Sequence, residues 1–152
     1  MAVRMKRIYL IRHGLPEFPD GRRQCIGSTD LPLSGEGMLQ ASEMARALPT
    51  VSAVFSSPLT RAVETARARD LSLQPPGAES REAGLARFSA AMEEAARRSP
   101  GDLAVVAHGG IIALFLEHIT GRWHKPDYCE IITLQWDESG IFQQEESSCG
   151  KC

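Results

Sequence analysis

The chain has 152 residues, 43% of them hydrophobic and 24% charged, with a formal net charge of −2, which predicts one soluble globular domain rather than two. This charge gives no support for broad binding to nucleic acid or anionic membranes, so any anion site must depend on a local group of arginines. No apolar run approaches the ~18 residues of a membrane span, and the basic segment Met1–Arg7 is followed by a run too short for a signal peptide, so we expect a cytoplasmic protein.

The first half of the chain predicts two strand–helix units. The first strand is continuously apolar in its second half, which is typical of a strand buried on both faces in a parallel sheet. Ser34 is suited to cap the first helix, and Met38 and Met44 belong to an apolar stripe that we expect to pack in the core. The second helix begins with Pro58, because proline is favoured in first turns. In chain order these elements are a strand over Lys6–Ile11, a helix over Gly35–Leu48, a strand over Val51–Phe55 and a helix over Pro58–Asp70.

The second half continues with further helices and strands. Pro100 and Gly101 end the third helix, and we expect Gly121 to end the fourth. The last two strands are less buried and are predicted to pair across a turn at Asp137–Gly140. In chain order these elements are a helix over Ser80–Arg98, a strand over Leu103–Ala107, a helix over Gly110–Thr120 and strands over Cys129–Trp136 and Ile141–Gln144.

This alternation of strands and helices predicts an α/β fold, namely a three-layer α/β/α sandwich with a mostly parallel sheet and an antiparallel edge. We expect residues 1–146 to form a single domain and residues 147–152 to form a flexible C-terminal tail. The tail contains a Cys-x-x-Cys pair, Cys149 and Cys152. No second pair of ligands accompanies it at a suitable spacing, so it does not predict a metal site.

Three strand-to-helix junctions contain the residues with the clearest chemistry. Arg12, His13 and Gly14 follow the first strand, Arg61 lies in the first turn of the second helix, and His108 follows the third strand. Because the carboxyl ends of parallel strands share one edge of the sheet, where such sheets bind ligands, we expect these residues to converge. Arginine binds phosphate in bidentate fashion, imidazole is a nucleophile at neutral pH, and helix N-termini favour anions. The junctions therefore predict a phosphate pocket that contains a nucleophile.

Motifs at and near these junctions resemble those of the histidine phosphatase superfamily, and more narrowly its phosphoglycerate-mutase-like branch, which includes α-ribazole phosphatases. They occur in the order that the family has, and the resemblance extends from about Arg7 to about Trp136. The motifs are Arg12-His13-Gly14, the segment Cys25–Ser34, the segment Ser56–Ala62 with Thr65-Ala66, and the segment Val105–Gly110. Asp127-Tyr128-Cys129, just before the predicted late strand, also fits that branch.

The resemblance implies a metal-independent reaction in which His13 is the nucleophile and becomes a phosphohistidine that water then hydrolyses. Arg12 and Arg61 would hold the phosphoryl oxygens as charge develops on them, and His108 would add a hydrogen bond to the transferring group. Glycines that bind substrate or phosphate complete the implied site. These are Gly14, Gly27, Gly109 and Gly110.

The sequence departs from this branch between Asp70 and Arg87. Family members have a longer segment there. It contains a Glu that is followed by a Gly and a Trp, and this Glu serves as the general acid. The present chain instead passes almost directly into Pro75–Ser80. We interpret the acid-bearing segment as absent, with Glu79 and Glu82 as the nearest carboxylates that could replace it. General acid catalysis is typically worth ~10²–10⁴-fold, so its absence favours leaving groups that need little protonation.

The sequence therefore predicts a metal-independent phosphomonoesterase that acts on a small phosphorylated metabolite and needs no cofactor. Two alternatives stay open, a phosphate-binding or regulatory domain with weakened catalysis and a protein phosphohistidine phosphatase. The segment Leu15–Pro19 lacks the polar residues of mutases, which disfavours a phosphoglycerate mutase. A homodimer paired at the sheet edge near Ile141 is left open. His118 and His124 match no motif, and we expect both to be structural.

Overall fold

A computed structural model of the chain describes residues 5–18, 30–68 and 81–145. None of the helices in these ranges is long and apolar enough to cross a membrane. The predicted tail at residues 147–152 lies outside the described residues. In chain order the described elements are β1 (Met5–Arg12), α1 (Gly35–Ala47), β2 (Ala53–Ser56), α2 (Thr60–Arg67), α3 (Arg81–Arg98), β3 (Leu103–Ala107), α4 (Gly109–Thr120), β4 (Ile131–Asp137) and β5 (Phe142–Gln144).

The described strands form one sheet in the order β2-β3-β1-β4-β5, with β1 in the middle. Strands β1 and β2 both pair with β3 in parallel, whereas β4 is antiparallel to β1 and to β5. The register places Arg12 opposite Ala107 at the carboxyl ends of β1 and β3. The predicted α/β class, with a parallel part and an antiparallel edge, is confirmed.

The helices cover both faces of the sheet, as the alternating order of elements predicts. Helices α3 and α4 pack on one face, where their apolar residues meet every second residue of β1, β3 and β4, including Ile8 and Leu10. Helices α1 and α2 pack on the other face against the alternate residues Tyr9 and Ile11. Strand β1 is therefore buried on both faces, which explains its continuous apolar run.

Helix α1 is held close to the end of β1 by glycines. Its N-terminus is capped by Ser34, whose hydroxyl accepts a hydrogen bond from the backbone N–H of Gly37. A Cβ atom at Gly37 would lie 2.2 Å from the carbonyl oxygen of Leu15, and one at Gly14 would lie 2.8 Å from the carbonyl oxygen of Gly37. Only glycine at both positions lets the two backbones approach this closely.

The structure corrects several predicted boundaries. Strand β2 begins at Ala53 rather than at Val51. Helix α2 begins at Thr60, because Leu59 is an extended N-cap residue and Pro58 lies in the turn before it. Strand β4 begins at Ile131, because Cys129 has a φ of +59° and cannot continue a strand. The end of α4 is confirmed, since Gly121 is its left-handed C-cap residue.

The prediction that both methionines of α1 pack in the core is half wrong. Met44 is buried, but Met38 is 50% exposed. The buried face of α1 consists of Gly37, Ala41 and Met44, at the helical spacing of four and three residues. Met38 lies next to Gly37 in the sequence and therefore projects away from that face.

Candidate active site

The three predicted junctions meet at the carboxyl-terminal edge of the parallel strands. The backbone N–H of His13 donates to the carbonyl oxygen of Ala107 at 3.0 Å, and that of Ser57 donates to Val106 at 3.0 Å. These bonds continue the sheet beyond the strands, so each junction is fixed to β3. They bring His13, Arg61 and His108 into direct or near contact, as the sequence predicts.

His13 is buried and its two ring nitrogens have different partners. Its Nδ1 lies 2.7 Å from the carbonyl oxygen of Gly14, which can only accept, so Nδ1 is the donor. Its Nε2 therefore has the lone pair in the neutral ring and accepts a hydrogen bond from Nε of Arg61 at 3.3 Å. Burial lowers the pKa of His13 to about 4, and the charges of Arg61 and Arg12 act in the same direction, while the bond to Gly14 opposes them. At neutral pH His13 is an uncharged base whose Nε2 lone pair accepts the hydrogen bond from Arg61.

His108 lies beside His13, with ring centroids 5.1 Å apart and the rings edge to face. Its Nε2 is 2.7 Å from the hydroxyl oxygen of Ser57. Its Nδ1 is buried and has no hydrogen-bond partner in the described structure. Burial lowers the pKa of His108 to about 3, and the neighbouring His13, Arg61 and Arg12 add to the lowering. Both imidazoles of the site are therefore neutral at pH 7.

Arg61 is placed by the first turn of α2. Its side chain is buried, which lowers its pKa, while the carboxylate of Asp30 opposes that shift. Asp30 also accepts a hydrogen bond from the backbone N–H of Thr60 at 2.6 Å and so caps α2 from a distant part of the chain. The buried hydroxyl of Thr65 donates to the carbonyl oxygen of Arg61 and accepts from the N–H of Gly14. These bonds fix the helix that holds Arg61 to the loop that holds His13.

Arg12 approaches the site from the end of β1. One of its terminal nitrogens donates to the carbonyl oxygen of Pro126 at 2.9 Å. Its Nε is buried without a hydrogen-bond partner in the described structure. A Cβ atom at Gly109 would lie 2.8 Å from that Nε, so the guanidinium passes directly over the backbone at the start of α4. Leaving a buried N–H unpaired costs about 1–3 kcal/mol, a cost that an acceptor bound in the site would remove.

The predicted glycines have different outcomes. Gly14 donates its N–H to Thr65 within the protein, and its role in phosphate binding stays a prediction. Gly109 and Gly110 form the first turn of α4, where backbone N–H groups have no partner within the helix. Gly27 lies outside the described residues.

Of the two predicted acid candidates, the structure describes only Glu82. Glu79 lies outside the described residues. Glu82 is exposed in the first turn of α3. Two residues later in the same helix, Gly84 lies close to Ile111 in the first turn of α4. Glu82 is thus at the same end of the fold as His13 but points into solvent.

The two histidines expected to be structural lie outside the cluster of His13 and His108. His118 is exposed on α4, nine residues beyond Gly109 and thus about 14 Å along the helix at 1.5 Å per residue. His124 is exposed and forms an ion pair with Glu130 at 2.8 Å. Within the described ranges, no group of three or more His, Cys, Asp or Glu residues is arranged to hold a metal ion.

Sequence reasoning included Tyr128 in the family resemblance but placed neither Tyr128 nor Pro126 in the site. Tyr128 places its ring 3.9 Å from the guanidinium carbon of Arg12 and 5.9 Å from the ring of His13. The signal that could have found it is topological. Strand β4 is antiparallel, so the residues just before it lie at the edge where the parallel strands end.

The fold and site define an α/β protein with a neutral histidine held among arginines at a sheet edge. Residues 8–73 and 67–145 match the family model of the histidine phosphatase superfamily (branch 1), so the chain belongs to this superfamily. No curated protein sequence matches the chain.

Solved structures share the fold at low sequence identity. A phosphoglycerate mutase from Bacillus anthracis superposes with a TM-score of 0.81 at 19% identity, over 95% of this chain and 93% of its own. A phosphoserine phosphatase from Entamoeba histolytica, in complex with 3-phosphoglyceric acid, has a TM-score of 0.74 at 18% identity, over 93% and 95%. A putative α-ribazole-5′-P phosphatase from Escherichia coli has a TM-score of 0.70 at 19% identity, over 92% and 94%.

Proposed function

We propose that this protein is a metal-independent phosphomonoesterase that acts on a small phosphorylated metabolite through a phosphohistidine at His13. The observation that carries the proposal is the state of the His13 ring. Its Nδ1–H donates to the carbonyl oxygen of Gly14, the low pKa keeps the ring neutral, and the Nε2 lone pair accepts a hydrogen bond from Arg61. A buried imidazole with a fixed tautomer beside guanidinium groups is suited to attack phosphorus.

The first step transfers the phosphoryl group to the protein. The Nε2 lone pair of His13 forms a bond to phosphorus while the ester P–O bond breaks and its electrons leave with the alcohol oxygen. Arg61 releases Nε2 and turns its N–H groups to the phosphoryl oxygens, and Arg12 offers its unpaired Nε. Charge that builds on those oxygens is stabilised in a site with little water.

The second step releases phosphate. Water attacks phosphorus, the P–N bond breaks and its electrons return to Nε2, which leaves His13 neutral with its proton on Nδ1. The attacking water loses a proton to solvent, and phosphate departs. His108 contributes a hydrogen bond from Nδ1, which in the unliganded protein is buried without a partner. Its neutral state suits this role, because a further cation beside His13, in addition to Arg61 and Arg12, would weaken the nucleophile.

The leaving group that we propose is one that needs little protonation. Support comes from the family match, which consists of two separate parts, residues 8–73 and residues 67–145. The two parts overlap at residues 67–73, next to the place where the acid-bearing segment of the family is expected. Without a general acid, an alkyl phosphate should react ~10²–10⁴-fold more slowly than in a complete enzyme. An aryl phosphate, whose leaving group is already a weak base, should be little affected.

The test is hydrolysis of p-nitrophenyl phosphate in the presence of a chelator. Replacing His13 by Ala should abolish turnover, and an acid-labile phosphoenzyme should form in the native protein only. His118→Ala is the matched control, because it removes an exposed histidine of the same domain outside the site. Full activity of His13→Ala would overturn the proposal. Tight phosphate binding without turnover in the native protein would favour the binding domain instead.

A further inference from the structure

We propose that Tyr128 is a positioning residue whose ring holds the guanidinium of Arg12 in the orientation that the phosphoryl group requires. The inference rests on the proposed function, because it concerns the same phosphate site. It assigns a role to this tyrosine, which the resemblance includes in a motif without giving it one.

Arg12 lies in a slot with two walls. One wall is the ring of Tyr128, whose centroid is 3.9 Å from the guanidinium carbon. The other wall is the backbone of Gly109, where an added Cβ would come within 3.1 Å of the same carbon. A planar guanidinium between two flat surfaces can slide but cannot rotate out of its plane. The slot therefore fixes the plane in which Arg12 presents its N–H groups.

The position of Arg12 within that plane is fixed at one end. One terminal nitrogen donates to the carbonyl oxygen of Pro126, two residues before Tyr128, at 2.9 Å. The backbone N–H of Cys129 donates to the carbonyl oxygen of Arg12 at 2.9 Å. The turn that contains Tyr128 thus binds both the backbone and the side chain of Arg12, whose buried Nε has no hydrogen-bond partner in the described structure.

The turn itself is under backbone strain that only its contacts explain. Cys129 has a φ of +59°, a left-handed conformation that non-glycine residues adopt at a cost of order 1–3 kcal/mol. Burial raises the pKa of its thiol to about 12, so the thiol itself is not a nucleophile at neutral pH. Strain of this kind persists where the surrounding contacts determine the geometry. Here those contacts place Tyr128 against Arg12.

Tyr128 also adjoins the nucleophile. Its ring lies 5.9 Å from that of His13, tilted by 46°. One side chain thus lies beside both Arg12 and His13. The ring face attracts Arg12 as a cation over a π system, an interaction that is stronger in a desolvated site.

The test compares Tyr128→Phe with Tyr128→Leu. The Phe variant keeps the ring and should retain kcat and vanadate affinity within about twofold, whereas the Leu variant should lose about tenfold in both. Vanadate resembles the transition state, so its affinity should fall more than that of inorganic phosphate. A merely structural role would not change vanadate and phosphate binding unequally.

Equal vanadate affinity in the Leu variant and the native protein would overturn the inference, as would an equal loss in Phe and Leu. If the Leu variant does not fold, Gly109→Ala narrows the slot from its other wall and should reduce vanadate affinity to the same extent. Normal vanadate binding by Gly109→Ala would then overturn the inference. Vanadate binding needs no turnover, so a protein that binds vanadate but hydrolyses no ester contradicts the proposed activity and not the role of Tyr128.

Discussion

Acidification should destabilise the folded protein through His13. The unfolded chain binds a proton at this residue near the ordinary pKa of 6.5, whereas burial lowers the folded pKa to about 4. The unfolded state therefore holds more protons between these values, and stability falls as the pH falls. His13 is only 5% exposed, so solvent does little to screen the effect. Between pH 8 and pH 5 this single group should remove about 2 kcal/mol from the free energy of unfolding.

The assay is urea unfolding of the native protein and of His13→Asn at pH 8 and pH 5. The native protein should lose about 2 kcal/mol more than the variant between the two values. His108 is present in both proteins and its pKa is lowered to about 3 chiefly by burial, so its contribution should be similar in the two proteins. Equal losses in the two proteins would refute the reasoning, because they would show that His13 is charged as readily in the fold as in the unfolded chain.

Two further substitutions test contacts around the site. Ser57→Ala removes the hydrogen-bond partner of Nε2 in His108. It should lower kcat/KM about tenfold in steady-state kinetics and lower the free energy of urea unfolding by about 1–2 kcal/mol. Unchanged kinetics would show that the hydroxyl does not orient the ring of His108. Gly37→Ala places a Cβ 2.2 Å from a backbone oxygen of Leu15 and should cost roughly 2–4 kcal/mol. Gly35→Ala, whose Cβ meets no atom within 4 Å, is its control, and an equal Tm in the two variants would contradict the packing argument.

Much of the architecture could be predicted from the sequence because the patterns are local. The continuous apolar run of β1 indicates burial on both faces, and the alternation of strands and helices indicates a layered sheet. Convergence of Arg12, His13, Arg61 and His108 in the structure follows from one rule, that parallel strands end at the same edge. The roles of these residues in catalysis stay predictions.

The contacts that sequence reasoning did not find depend on the antiparallel part of the sheet and on close packing. Tyr128 precedes β4, and its approach to Arg12 becomes visible only when β4 is known to run antiparallel to β1. Gly37 reads as an ordinary helical glycine, although its lack of a side chain is what lets α1 approach Leu15. The left-handed conformation of Cys129 has no signal in its residue type, because cysteine does not favour it.

The central position of β1 also has a consequence for how the chain folds during synthesis. This strand is made before the other strands of the sheet, and both of its neighbours lie about 90 or more residues later, where Leu103 pairs with Ile8 and Asp137 pairs with Met5. Until those residues leave the ribosome, an apolar strand has two unpaired edges, a state that is prone to aggregation. Such long-range pairing also predicts slow folding. Because the proposed phosphate pocket needs all three junctions, we expect phosphate binding to appear only after β1 and β3 have paired.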